Sequence, residues 1–130
     1  MQRVAHALGV TRLVETDRAA LLANLSQVRA AAGDRAVLRA LHFFAENERV
    51  DRAYQAMRQN DMPSLLSLLR ASGASSWQRL HNGGAADPAE QSVPLMLALS
   101  EGFLRQIGDG CCRVHGGGFA GTILCVLPQD

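Results

Sequence analysis

Four glycines, Gly116, Gly117, Gly118 and Gly121, fall within six residues near the end of the chain. They lie between two apolar runs, Cys111-Cys112-Arg113-Val114 and Thr122-Ile123-Leu124-Cys125-Val126-Leu127, which read as short strands. Glycine takes positive φ without a Cβ penalty, so the run lets the chain reverse between the strands. It also lets backbone amides approach an anion or another backbone closely. The segment therefore folds as a hairpin or a strand-loop-strand. It is not a Walker A loop, because no Gly-Lys-Ser/Thr follows, and not a dinucleotide fingerprint, because a strand rather than a helix comes next. Glycine content by itself fits a ligand-free bulged turn as well as a phosphate-facing loop.

An isolated strand pair is marginal in water and leaves both edges open, so the sheet is expected to need more strands than these two, while the rest of the chain is helical in pattern. Thr16 is placed to cap a helix carrying Leu21, Leu25 and Val28 at i, i+4 and i+7, with Gly33 as its stop. Asp34 opens a long helix to about Asn60. Its apolar face runs through Val37, Leu38, Leu41, Phe44 and Ala45, and resumes at Val50, Tyr54 and Met57 after a polar interruption at Glu46-Asn47-Glu48, which predicts a bend or an exposed patch there. Asp61 and Pro63 start a third helix that Gly73 is expected to end. Residues 72–89 then read as a loop anchored by Trp77 and Leu80. Asp87-Pro88-Ala89-Glu90 predicts the start of a last helix bearing Val93, Met96, Leu97, Phe103 and Ile107, closed by Gly108 and Gly110. The expected class is α+β, with helices packed on one face of a small antiparallel sheet.

At 130 residues the chain is sized for one domain, residues 1–130. Its 48% apolar and 19% charged composition belongs to folded proteins rather than disordered segments. Thirteen basic and 12 acidic residues are mixed along the chain for a net charge of +1. There is no basic stripe for nucleic acid and no acidic tail. No apolar run approaches the length of a membrane span, and Arg3, Arg12, Glu15, Asp17 and Arg18 replace a signal peptide's apolar core, so the chain reads as cytoplasmic. Cys111, Cys112 and Cys125 lack Cys-x-x-Cys spacing and sit in the most apolar stretch; they read as packed thiols, with no metal site expected.

The stretch Arg113-Val114-His115-Gly116-Gly117-Gly118-Phe119-Ala120-Gly121-Thr122 resembles the third motif of the GHMP small-molecule kinases, in the form typical of galactokinases. Three further segments follow the same order. Ala5-His6-Ala7-Leu8-Gly9-Val10 with Leu13 is similar to the galactokinase segment leading into the C-terminal domain. Arg39-Ala40-Leu41-His42 with Glu46-Asn47 and Arg49-Val50 resembles the arginine-rich helix. Ser72-Gly73-Ala74-Ser75-Ser76 sits where galactokinases carry a Ser-His-x-Ser-Leu-type segment. The sequence departs from the family at His115, where threonine is common, at Ala120 for a glycine, and at Gly73 for a histidine.

The resemblance implies a ferredoxin-like GHMP C-terminal domain that lacks the N-terminal ATP and sugar lobe and the last helix and strand. It implies a parent that moves the γ-phosphoryl group of MgATP to the C1 hydroxyl of galactose, with ATP and Mg2+ as cofactors and no activity in this chain alone. Gly116, Gly117, Gly118, Phe119 and Gly121 are then a support for the nucleotide phosphates or the phosphate loop. Ser75, Ser76, His115 and Arg113 are cleft-facing candidates, and no catalytic residue is expected in the chain. The implied partner is the missing kinase lobe. Two alternatives stay open: a non-catalytic module that dimerises through its open sheet edges, and the C-terminal domain of another GHMP kinase.

Overall fold

The computed structural model describes residues 1–84, 87–117 and 121–129. The chain divides into two compact units, Met1–Glu48 and Arg49–Asp130. The α+β expectation is met: the chain is mostly helical with a two-stranded antiparallel sheet.

The first unit is built of helices α1 (Gln2–Ala7), α2 (Arg18–Ala23) and α3 (Leu25–Ala32), a 3-10 turn at Leu13–Glu15, and the first half of α4, which runs Asp34–Arg58. Its core is Val4, Ala5, Leu13, Leu21, Val28, Ala32, Val37, Ala40 and Phe44. Leu21, Val4 and Val28 are fully buried. The expected single helix from Thr16 is two helices, and its cap lies one residue later: the Asp17 carboxylate accepts from the Ala20 amide at 2.7 Å. The break falls at Asn24, whose side-chain amide donates to the Ala20 carbonyl at 2.9 Å and so competes with the helical ladder, as asparagine does. Gly33 closes α3 at φ +84, where its missing Cβ removes the left-handed penalty. Helix α1 went unpredicted, because six residues are too few for a periodic pattern to show.

The second unit holds the end of α4, then α5 (Met62–Ser75), α6 (Ser92–Ile107), β1 (Cys111–His115) and β2 (Thr122–Val126). The expected resumption of the apolar face past Glu48 is not a buried one: Val50, Tyr54 and Met57 are all more than half exposed, and Ala56 is buried. Asp61 caps α5 by accepting from the Ser64 amide at 3.1 Å, and Pro63 occupies the first turn as expected. Gly73 does not end the helix. A Cβ built there would lie 2.9 Å from the Cβ of Arg113, so the glycine serves close approach of α5 to β1. The backbone continues helically through Ser75 into a π-helical turn, Ser76–Leu80, which replaces the first half of the expected loop.

The last helix also starts later than expected. The Asp87 carboxylate accepts from the Ala89 amide at 2.9 Å in a separate turn, and α6 begins at Ser92. Pro94 fixes this start, because proline is tolerated in a first turn and breaks an interior one; a helix from Pro88 would have carried Pro94 inside it. Gly108 ends α6 in the left-handed region at φ +78. The strands pair antiparallel, with Cys111 opposite Val126, Cys112 opposite Cys125, Arg113 opposite Leu124, Val114 opposite Ile123 and His115 opposite Thr122. Both α5 and α6 pack on β1, and α6 also touches β2. Consecutive positions of β1, Cys111 and Cys112, are therefore buried together with Val114, while Cys125 on β2 is exposed, against the expectation of three packed thiols.

Candidate functional site

The ladder closes at His115 opposite Thr122, so residues 116–121 form the connection. Gly116 sits in the left-handed region at φ +65, and among the described residues nothing lies within 4 Å of the place its Cβ, or that of Gly117, would take. Gly121 is exposed. Gly118 and Phe119 of the expected phosphate support lie outside the described residues.

The turn is tied to the segment after α5. Asn82, only 3% exposed, donates its side-chain amide to the Gly117 carbonyl at 3.5 Å, and among the described residues its Oδ1 has no hydrogen-bond partner. Asn82 was not singled out in the sequence; an asparagine beside two glycines reads as turn chemistry, and only burial reveals it. Gly83 next to it lets the Trp77 ring lie against the backbone, and a Cβ there would force the ring to move. Trp77 itself is half exposed rather than buried as an anchor.

Between α5, α6 and β1 lies a cleft of about 800 Å³, with Arg70, Trp77, Leu97, Glu101, Arg105 and Arg113 among its lining. Arg113 is the sequence-predicted residue that reaches it. Its Nη1 donates to the Ser72 hydroxyl at 2.5 Å and its Nε to the Val114 carbonyl at 3.0 Å, so the guanidinium is held along β1. Arg70 donates to the Gly110 carbonyl. Arg70 and Arg105 are not legible as site residues in the sequence, because single basic residues on a helix look like solvated surface. Ser75 and Ser76, expected on an open loop, are buried at 5% and 2% exposure, because the helix runs on through Gly73. His115 is exposed at the end of β1. The structure thus separates the candidates: Arg113 lines the cleft, the glycines lie beyond the far end of β1, and the serines are inside.

Burial pushes the Cys112 thiol up to about 11, with Cys125, Glu101 and Cys111 adding to the rise and Arg105 opposing it. Cys111 is raised by burial as well, against Arg70 and Arg113. Both are neutral near pH 7. Among the described residues no three of His, Cys, Asp or Glu gather as a group able to hold a metal ion, and no helix is long and apolar enough to cross a membrane.

No protein-family model matches the chain. It is similar to the galactokinase of Glaesserella parasuis serovar 5 (strain SH0165), 34% identical over 115 residues, which cover 88% of this chain and 26% of that protein. It is 31% identical over 127 residues to the galactokinase of Actinobacillus pleuropneumoniae serotype 3 (strain JL03), covering 97% of this chain and 30% of that protein. With the galactokinase of Haemophilus influenzae (strain PittEE) it shares 36% identity over 96 residues, 73% of this chain and 23% of that protein. The chain spans about a quarter of the length of the curated relatives it matches. Over most of its own length, therefore, this chain is related to the galactokinases, matching a stretch that makes up about a quarter of theirs.

Proposed function

We propose that the chain is the C-terminal part of a galactokinase-like sugar kinase and supplies one wall of the cleft in which ATP phosphorylates galactose. The observation that carries the reading is the similarity over 97% of the chain to a galactokinase, with Gly116 of the glycine-rich turn in the left-handed region and no described residue near its Cβ position. MgATP, when bound, supplies the γ-phosphoryl group. This chain's part is positional: the glycine backbone at Gly116 and Gly117 lets phosphate oxygens come close, Asn82 holds the Gly117 carbonyl, and Arg113, fixed by Ser72, places a positive charge in the cleft. The described residues offer no clustered metal ligands. Catalytic groups, the rest of the sugar site and the other lobe belong to the parts of a galactokinase outside the matched stretch, and a cytoplasmic setting goes with the same reading.

Two assays test it together. The 130-residue chain, given MgATP and galactose, is expected to form no galactose 1-phosphate. The Glaesserella parasuis galactokinase with its matched stretch replaced by this sequence is expected to form it. Turnover by the chain alone, or a folded but inactive chimera, contradicts the reading.

A second reading is favoured by the sheet itself. Among the described residues the sheet has two strands and nothing pairs with the outer edge of β2, on which Thr122, Leu124 and Cys125 are exposed, which is the geometry for pairing with a second copy. Sedimentation decides it: a concentration-dependent dimer supports edge pairing, and a monomer at high concentration removes it.

A further inference from the structure

Cys112 and Cys125 face each other across the hairpin as register partners. Antiparallel partners have Cα atoms about 4.5 or 5.5 Å apart, inside the span of roughly 4.4–6.8 Å that a disulfide bridges. Partners also project to the same side of a sheet. The Cys112 sulfur lies 3.9 Å from the Leu97 carbonyl of α6, so the Cys125 side chain lies on that same side. Cys111, one residue away, projects to the other side, opposite Val126. Of the three cysteines, the geometry therefore selects one pair.

We propose that Cys112 and Cys125 form an oxidisable dithiol that closes into an intrachain cross-strand disulfide around the glycine-rich turn. The oxidant is a small-molecule disulfide such as oxidised glutathione. The exposed Cys125, as thiolate, attacks one glutathione sulfur; the Cys125–glutathione bond forms, the glutathione disulfide breaks, and one glutathione leaves carrying a proton. Cys112, as thiolate, then attacks Sγ of Cys125, the mixed disulfide breaks and the second glutathione leaves. Two thiols lose two electrons and two protons, and one glutathione disulfide gains them.

The second step is the slow one. Cys112 is buried, with Glu101 and Arg105 of α6, Cys125 of β2 and Cys111 of its own strand acting on it, while Arg70 of α5 and Arg113 act on the neighbouring Cys111. Little Cys112 thiolate exists at neutral pH, so closure speeds up as pH rises toward about 11. The product encloses the turn in a covalent ring. The hairpin then opens more rarely, on the order of 100-fold for a loop of this length.

The test uses the reduced 130-residue protein incubated with oxidised glutathione at pH 8 and quenched with acid. The expected product is a monomer lighter by two hydrogens, in which trypsin leaves the peptide ending at Arg113 joined to the peptide containing Cys125. Fragmentation of that pair assigns the bond to Cys112, and C111S still forms it. Amide exchange at Val114 and Ile123 slows on the order of 100-fold on closure. A bond from Cys111 to Cys125, a persistent glutathione adduct on Cys125, or an interchain dimer overturns the proposal. Because nothing in the assay involves nucleotide or sugar, its outcome is independent of the kinase reading.

Discussion

Gly110 stands where three chain segments converge. Its φ is +91, and a Cβ there would fall 2.4 Å from the Val126 carbonyl oxygen and 2.7 Å from Leu104. Gly110→Ala therefore meets both a backbone penalty and a steric one that flexible side chains cannot relieve, and is expected to destabilise by about 3 kcal/mol. Gly9, at φ +76 with open space around it, carries only the backbone term, and Gly9→Ala is expected to cost about 1 kcal/mol. Denaturant unfolding followed by circular dichroism separates the two, and equal effects would show that the crowding at Gly110 is relieved by movement of β2. Gly110 was legible only as a stop after the last helix. Its tight fit depends on Val126 and Leu104, which lie far along the chain in one case and on the preceding helix in the other, and neither distance is written in local sequence. The same holds for Gly73: a glycine inside an apolar helix reads as a terminator until the approach of Arg113 is seen.

At the scale of elements, capping chemistry was the most readable feature. Asp61 caps α5 as the sequence indicated. The Ser64 hydrogen bonds hold its carboxyl below the usual value, and Arg29 does the same for Asp34 at the start of α4. Both pKa values are depressed in the folded state. Their contributions are present above the unfolded carboxylate pKa, near 4, and are lost as pH falls through the lower folded values. The thermal midpoint is therefore expected to fall between pH 5 and pH 2. Asp61→Asn retains an N-cap acceptor without the titration and should flatten part of that fall; an unchanged acid profile would contradict the role given to Asp61. Helix starts were misread where two signals competed. Asp87-Pro88 looked like a start, yet Pro94 six residues later forbids a helix through it, and giving Pro94 the greater weight would have placed α6 correctly. The hairpin was legible because glycines between apolar runs leave few alternatives, whereas the π-helical turn after Ser75 has no composition signal of its own.

For the whole molecule, the chain is two compact units meeting within α4, related along most of its length to galactokinases and accounting for about a quarter of theirs. The order of four short segments carried that relation in the sequence, more than any one of them did. What the sequence hid is the separation of the candidate residues: buried Ser75 and Ser76, a cleft lined by Arg70, Arg105 and Arg113, and a glycine turn braced by Asn82. In the proposed reading such a set serves as a supporting wall, and no group of residues able to hold a metal ion gathers among the described residues. The most direct check is galactose 1-phosphate formation from MgATP and galactose, measured for the 130-residue chain and for the Glaesserella parasuis galactokinase carrying this sequence in place of its matched stretch. The account predicts product from the chimera and none from the chain alone; product from the chain alone, or none from a folded chimera, would contradict it.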